Sequence, residues 1–214
     1  NLDDKHFSNI ENLFKGEKIY SVSCKNKKAD IYFKIKQIYQ DGRINFCVRT
    51  PWGKFSSSPK LHTGYNIYNL LLSLPYYSSM TSDCSGFFSA VEEMTLPIGR
   101  LQKVGKENIY IDFAHTPDAL EAVCSELMKK NHKGLKLIFG AGGGRDKGKR
   151  ELMGNIAQKY AKKIYITSDN PRFEKPNEII EMIAAGISDK NKMIIECDRS
   201  EAIKMAISEL DKDE

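Results

Sequence analysis

Long apolar runs are missing from this 214-residue chain, and none approaches the roughly 20 residues that a membrane span needs. The opening, NLDDKHFSNI, carries no signal peptide, so no membrane partner is expected. It also lacks an initiator Met, which suggests a processed or truncated product. Metal-binding spacing is missing too. The five cysteines, Cys24, Cys47, Cys84, Cys124 and Cys197, form no CxxC or Cys/His cluster. They are expected to be buried or half-buried free thiols of a reducing compartment, and no zinc site is expected. A large excess of charge of one sign is missing as well: the net charge is +5, with lysines spread throughout. No stripe alternates basic and aromatic residues, so nucleic acid is not an expected partner, whereas small anionic substrates fit the sign. Internal repeats and low-complexity segments are absent as well.

What is present divides into two textures. The first, over 18–58, reads as β-structure. Ile31, Phe33 and Ile35 alternate with Tyr32, Lys34 and Lys36, and Ile44, Phe46 and Val48 alternate likewise. Period two means one buried face. Asp41-Gly42 between these runs predicts a type I′ hairpin, in which both central residues take positive φ. From 66 the period becomes helical, with Leu70, Leu71 and Leu74 on one face. A second helix is predicted over 83–94, with Phe87, Phe88 and Val91 inward. Pro97 and Gly99 then mark a domain boundary.

The second texture, after 100, alternates strand and helix. Strands are predicted at 108–114, 135–139, 162–168 and 193–197. Thr116-Pro117 starts one helix, because Thr can cap it and Pro needs no donor at the first position. Its stripe is Leu120, Val123 and Leu127. Another helix starts near 150. Pro176 opens a third, with Ile179, Ile180, Ile183 and Ile187 on one side. Ser200 is the candidate cap of the last, which carries Ile203, Ile207 and Leu210. The fold class is therefore α/β: a Rossmann-like, mostly parallel sheet preceded by a β-hairpin plus helices. Ligands of such sheets lie beyond the strand carboxyl ends. Three loops fall there and should face one crevice: AHTPD (114–118), GAGGGRDKGKR (140–150) and SDNPR (168–172).

These loops bring Arg145, Lys147, Lys149, Arg150 and Arg172 to one rim, with Asp146 and Asp169 as anions. Arginine suits planar carboxylates because its fork donates two parallel hydrogen bonds. Such a rim fits a small zwitterion or a phosphorylated ligand. From Gly143 the spacing also runs G-x-x-x-x-G-K, as in a Walker A loop. Arg150, however, stands where a Ser or Thr hydroxyl would hold Mg²⁺.

IDFAHTPDALE (111–121), FGAGGGRDKGKRELMG (139–154) and TSDNPRFEKP (167–176) resemble the C-terminal domain of the Mur ligase family, and specifically its diaminopimelate-adding branch. GYNIYN (64–69), IGRLQKV (98–104), NLDD (1–4) and CDRSEAI (197–203) extend the resemblance over nearly the whole chain. It implies that 1–98 is the end of a central ATP-binding domain, and that 99–214 is a C-terminal Rossmann-like domain without its last segment. Four positions depart from the family pattern. Ala141 stands where Cys is usual, Gly144 where Asp or Asn is usual, Phe113 where Tyr is usual and Thr63 where Gly is usual.

The resemblance implies a cytoplasmic, ATP- and Mg²⁺-dependent ligase of peptidoglycan synthesis that acts as a monomer. ATP would phosphorylate the terminal carboxylate of a UDP-N-acetylmuramoyl dipeptide, and the amine of meso-diaminopimelate would attack the acyl phosphate. The implied amino-acid site is Arg145 with Asp169, Asn170, Pro171 and Arg172. The implied ATP site is Asn69, Arg100, Asp112 and His115. No catalytic base and no metal ligand are identified in this segment; the family's P-loop, carbamylated lysine and acidic Mg²⁺ ligands have no counterpart here. The chain alone is accordingly expected to be inactive, and 1–97 to expose apolar edges. Two alternatives remain open: a lysine-adding relative, and a non-catalytic remnant of a decayed ligase gene.

Overall fold

The computed structural model describes residues 1–4, 6–14, 16–105, 108–130 and 134–210, with nothing drawn from the Lys130 side chain. The chain divides into two compact units, Asn1–Ile98 and Gly99–Glu214.

The first unit begins with helix α1 (Phe7–Leu13) and holds a four-stranded sheet in the order β1 (Val22–Ser23), β2 (Ile31–Ile38), β3 (Ile44–Thr50) and β4 (Gly53–Ser57). β1 runs parallel to β2, and the other pairs are antiparallel. Helices α2 (Gly64–Met80) and α3 (Ser85–Glu93) supply the rest of the core. Ile31, Phe33, Ile44, Phe46 and Val48 pack with Leu70, Leu71, Leu74, Phe87, Phe88 and Val91, as the two periodicities predict.

Two local expectations change. The β2–β3 connection is not a type I′ turn, because only Gly42 has positive φ, at 88°. Gly42 N donates to the Tyr39 carbonyl and Tyr39 N to the Arg43 carbonyl. The hairpin thus closes with a three-residue loop ending in a left-handed glycine, which places one such residue where type I′ needs two. The alternation also stops at Ile35, which is 39% exposed, and a bulge follows between Ile35 and Gln37. Exposed apolar side chains in this unit include Ile38, Leu13 and Phe14.

The second unit contains β5 (Gln102–Val104), β6 (Ile109–Ile111), α4 (Pro117–Lys130), β7 (Leu135–Phe139), α5 (Gly148–Tyr160), β8 (Ala161–Ile166), α6 (Pro176–Ala185), a short 3-10 helix (Lys190–Lys192), β9 (Met193–Ile195) and α7 (Arg199–Ser208). The parallel sheet is β7-β8-β9. The 108–114 run does not join it. Only Ile109–Ile111 is strand, and it pairs antiparallel with β5 as a separate ribbon. An alternating run shows which face is buried but not which strand it pairs with.

The core of this unit joins Phe139, Ile164 and Ile166 to Leu120, Cys124, Met153, Ile179, Ile180, Ile183 and Ile187. α5 and α6 cross on glycine. A Cβ on Gly154 would lie 2.1 Å from the Ile183 carbonyl oxygen, and one on Gly186 equally close to that of Glu151. The final helix differs from expectation. Asp198 is its cap and accepts from Ser200 N and Glu201 N. Its buried residues are Ala202 and Ala206, whereas Ile203 and Ile207 are 38% and 47% exposed. Cys197 is exposed, unlike the buried Cys84 and Cys124. Burial pushes the Cys124 thiol up to about 12. No helix among the described residues is long and apolar enough to cross a membrane.

Candidate active site

β7 and β8 are parallel neighbours, so the loops leaving their carboxyl ends emerge side by side. They are joined directly. Gly143 N donates to the Asn170 carbonyl at 2.8 Å, and Arg172 Nη1 donates to the Gly143 carbonyl at 2.9 Å. This contact uses one nitrogen of the Arg172 fork and leaves other donors for a ligand. Arg172 also has φ 52°, in the left-handed region. A non-glycine residue there costs energy, and such residues gather at ligand sites. Arg145 is exposed and makes no hydrogen bond or ion pair with any described residue. Asp169 and Asn170 are exposed, and Pro171 is half-buried against Gly143.

The third loop reaches the same place by a different route from the one expected. His115 and Thr116 follow the β5–β6 ribbon, not a strand of the parallel sheet. Lys149 Nζ nevertheless donates to the His115 carbonyl at 2.9 Å, tying this loop to the start of α5. Thr116 Oγ1 accepts from Ala119 N, and Pro117 opens α4, as its sequence predicts. The His115 ring places Nδ1 3.0 Å from the Phe113 carbonyl. A neutral ring donating there would present Nε2 as an acceptor.

One of the five rim cations is not on the rim. Arg150 is completely buried. Its Nη1 and Nη2 donate to Glu174 Oε2 and Oε1 at 2.8 and 2.9 Å, and Nη2 also points at the Gly142 carbonyl at 3.3 Å. Glu174 Oε1 accepts Gly144 N as well, at 2.6 Å. The Arg150 hydrogen bonds, then the Gly144 N–H, bring the Glu174 carboxyl down to about 2. Lys147 Nζ lies 3.5 Å from the same carboxylate. Glu174 escaped the sequence reading, and Arg150 was read as a rim cation, because a polar run such as RDKGKR reads as solvated. The usable signal was the pairing of opposite charges on two segments that the sheet makes neighbours.

Among the ATP candidates, Arg100 and Asp112 belong to one corner. Asp112 Oδ2 accepts Leu101 N and Oδ1 accepts Ala114 N, both at 2.8 Å. Its carboxylate is thus held by the backbone, and its remaining lone pairs suit ribose hydroxyls. Arg100 is exposed beside Leu101, whose φ is 48°. Phe113 N donates to the Gly99 carbonyl, and the Phe113 ring lies against Gly99. Asn69 is exposed on α2 of the other unit, with its amide 3.5 Å from Asn66 Oδ1. Among the described residues, no three His, Cys, Asp or Glu side chains gather to hold a metal ion.

The departures from the family pattern are accommodated locally. Thr63 stands at the N-cap position of α2 without a side-chain capping bond, at φ −143°, extended backbone that any residue adopts, while the left-handed position is His62. The cost is a buried Thr63 hydroxyl with no partner among the described residues. Gly144 has φ 61°, a region that Asn and Asp enter more readily than most residues, and a Cβ there would make only ordinary contact with Arg172.

The Mur ligase, glutamate ligase domain family matches residues 99–214. A UDP-N-acetylmuramoyl-L-alanyl-D-glutamate--2,6-diaminopimelate ligase of Aquifex aeolicus is 39% identical over 97% of this chain and 42% of its own length. The ligase of the same name from Rickettsia bellii is 45% identical over 68% of this chain and 31% of its own. The chain thus spans less than half the length of these relatives. A solved structure with that ligase name aligns over 99% of this chain and 45% of its own, at 31% identity and a TM-score of 0.54. A folylpolyglutamate synthase of Mycobacterium tuberculosis, solved with ADP and AMPPCP, aligns over 85% of this chain and 41% of its own. At 17% identity and a TM-score of 0.71, it speaks for the fold alone. The parallel sheet, its joined carboxyl-end loops and the domain match over more than half the chain agree: this chain belongs to the Mur ligase family.

Proposed function

We propose that the chain is part of an ATP-dependent ligase that adds meso-diaminopimelate to a UDP-N-acetylmuramoyl dipeptide in peptidoglycan synthesis. In this reading 1–98 is the end of a central ATP-binding domain and 99–214 is the amino-acid-binding domain. The enzyme works in the cytoplasm as a monomer. The observation that carries the reading is the direct joining of the glycine loop to the DNPR turn, with Arg145 two residues from the junction and Arg172 at it.

The chemistry follows from charge. Diaminopimelate differs from lysine by a second carboxylate at its far end, and Arg172 is the natural partner for it. Arg145 binds the amino acid from the glycine loop, with Asp169, Asn170 and Pro171 shaping the opposite wall. Arg100, Asp112, His115 and Asn69 contact ATP, with Asp112 on the ribose. ATP supplies the phosphoryl group that turns a carboxylate into an electrophile, and Mg²⁺ is held by residues other than these. The attacking amine loses a proton, and the acyl phosphate needs little further activation.

Calorimetry with meso-diaminopimelate and lysine tests the reading. Losing a charged partner in a desolvated site costs on the order of 2–5 kcal/mol, so lysine should bind at least about thirtyfold more weakly. Equal affinities would sink the Arg172 assignment and favour the lysine-adding alternative.

A further inference from the structure

Residues 142–144 are three consecutive glycines, and glycine has the widest backbone freedom of any residue. Such a segment does not hold one conformation unless something outside it does the holding. Here the ties are few, and those at both ends of the triplet come from one buried ion pair. Glu174 Oε1 accepts Gly144 N, and Arg150, which Glu174 grips with two hydrogen bonds, reaches the Gly142 carbonyl. Gly143, between them, meets the DNPR turn through Asn170 and Arg172. Glu174 is itself fixed to that turn, since its backbone N donates to the Pro171 carbonyl at 2.9 Å.

The pair is also a poor choice for stability alone. Arg150 is fully buried and its Nε has no partner among the described residues. Apolar side chains of similar volume often stabilise such a site as well or better. A buried ion pair of this kind calls for another reason. We propose that Arg150 and Glu174 are positioning residues of the amino-acid site. Together they latch the glycine loop onto the DNPR turn, and so set Arg145 and Arg172 at the spacing of one dicarboxylic amino acid. The inference rests on the amino-acid site proposed above. Neither residue touches the substrate: Arg150 is enclosed, and Glu174 is spent on Arg150, Gly144 and Lys147.

The test uses two variants of the full chain, Glu174→Gln and the double Arg150→Met/Glu174→Leu, the second replacing the pair by apolar groups. Three quantities are read: meso-diaminopimelate affinity by calorimetry, amide exchange across 142–145 and 170–174, and the thermal midpoint. The expected result for the double variant is at least tenfold weaker binding and faster exchange in both loops. Exchange in α4 should stay unchanged, and the midpoint should stay near that of the native chain. If the double variant does not fold, Glu174→Gln carries the test with the same readouts. Native-like affinity and loop exchange in the variants would overturn the proposal. So would a loss of affinity accompanied by faster exchange throughout α4, since that is ordinary unfolding. A native chain that fails to bind diaminopimelate overturns the amino-acid site and the positioning role with it. Unchanged loop exchange beside intact native binding removes the latch alone.

Discussion

Gly143 lies so close to Pro171 that a Cβ on it would sit 1.9 Å from the Pro171 carbonyl oxygen. No real Cβ tolerates backbone at that distance, so the two loops approach this closely only because residue 143 lacks a side chain. Gly143→Ala must push the loops apart or strain both. Overpacking of this kind costs about 1–3 kcal/mol. The expected outcome is a lower urea midpoint with an unchanged slope, together with weaker binding of meso-diaminopimelate. Gly144→Asn is the control. Its Cβ would meet Arg172 at ordinary distance, and asparagine enters the left-handed region more readily than most residues. That variant should melt close to the native protein.

Arg145 and Arg172 occupy different situations, and their variants should behave differently. Arg172 already donates to Gly143, so Arg172→Ala removes a loop contact as well as a ligand contact. Arg145 makes no hydrogen bond or ion pair with a described residue, so Arg145→Ala removes a ligand contact alone. Both should weaken diaminopimelate binding by roughly 2–5 kcal/mol if the site is desolvated on binding. Only Arg172→Ala should also lower the thermal midpoint. Lysine binding should respond less to Arg172→Ala than diaminopimelate binding does, because lysine has no second carboxylate for that arginine. A parallel loss for both amino acids would place Arg172 on the carboxylate they share.

Much of this site was legible because its signals are local. Pro117 and Pro176 announce helix starts, and the run LKLIF followed by glycines announces a strand and a loop at its carboxyl end. The strand-helix alternation then places 140–150 beside 168–172 without any knowledge of contacts. What escaped depends on partners distant in sequence. Ile109–Ile111 reads as one more parallel strand, yet it pairs with Gln102–Val104, because the Asp112 carboxylate takes the backbone N–H of Leu101 and draws the two segments together. Arg150 reads as a surface cation until Glu174, 24 residues later, is brought against it. In the last helix, isoleucines at helical spacing suggest the buried stripe, but the close packing takes Ala202 and Ala206.

Acid should weaken the Glu174 latch over a window that reaches below the range in which ordinary surface carboxylates take up their protons. The Arg150 guanidinium, then the Gly144 N–H, hold the Glu174 carboxyl at about 2, below its ordinary 4.5. A carboxyl depressed in the folded state stabilises the fold above its unfolded value. That contribution fades as pH falls through the folded value. For Glu174 the window therefore runs from 4.5 down to about 2. Thermal midpoints followed from about pH 6 to about pH 2 should drop more steeply for the native chain than for Glu174→Gln, which has no proton to take up there. Parallel curves would show that Glu174 is no more depressed when folded than when unfolded.

The start of α7 offers a choice between two residues two positions apart. Ser200 is the candidate cap by residue type, but Asp198 accepts from both Ser200 N and Glu201 N, at 2.8 and 3.2 Å. Ser200 lies inside the helix, where its hydroxyl has no capping role. A carboxylate at this end also meets the positive pole of the helix dipole. Asp198→Ala should therefore cost about 0.5–2 kcal/mol, and Asp198→Asn much less, since its side-chain oxygen can still accept. Ser200→Ala should be close to neutral, because alanine is at least as good a helix former in the first turn. Urea unfolding of the three variants orders them directly. A Ser200→Ala cost as large as that of Asp198→Ala would assign the cap to the serine after all.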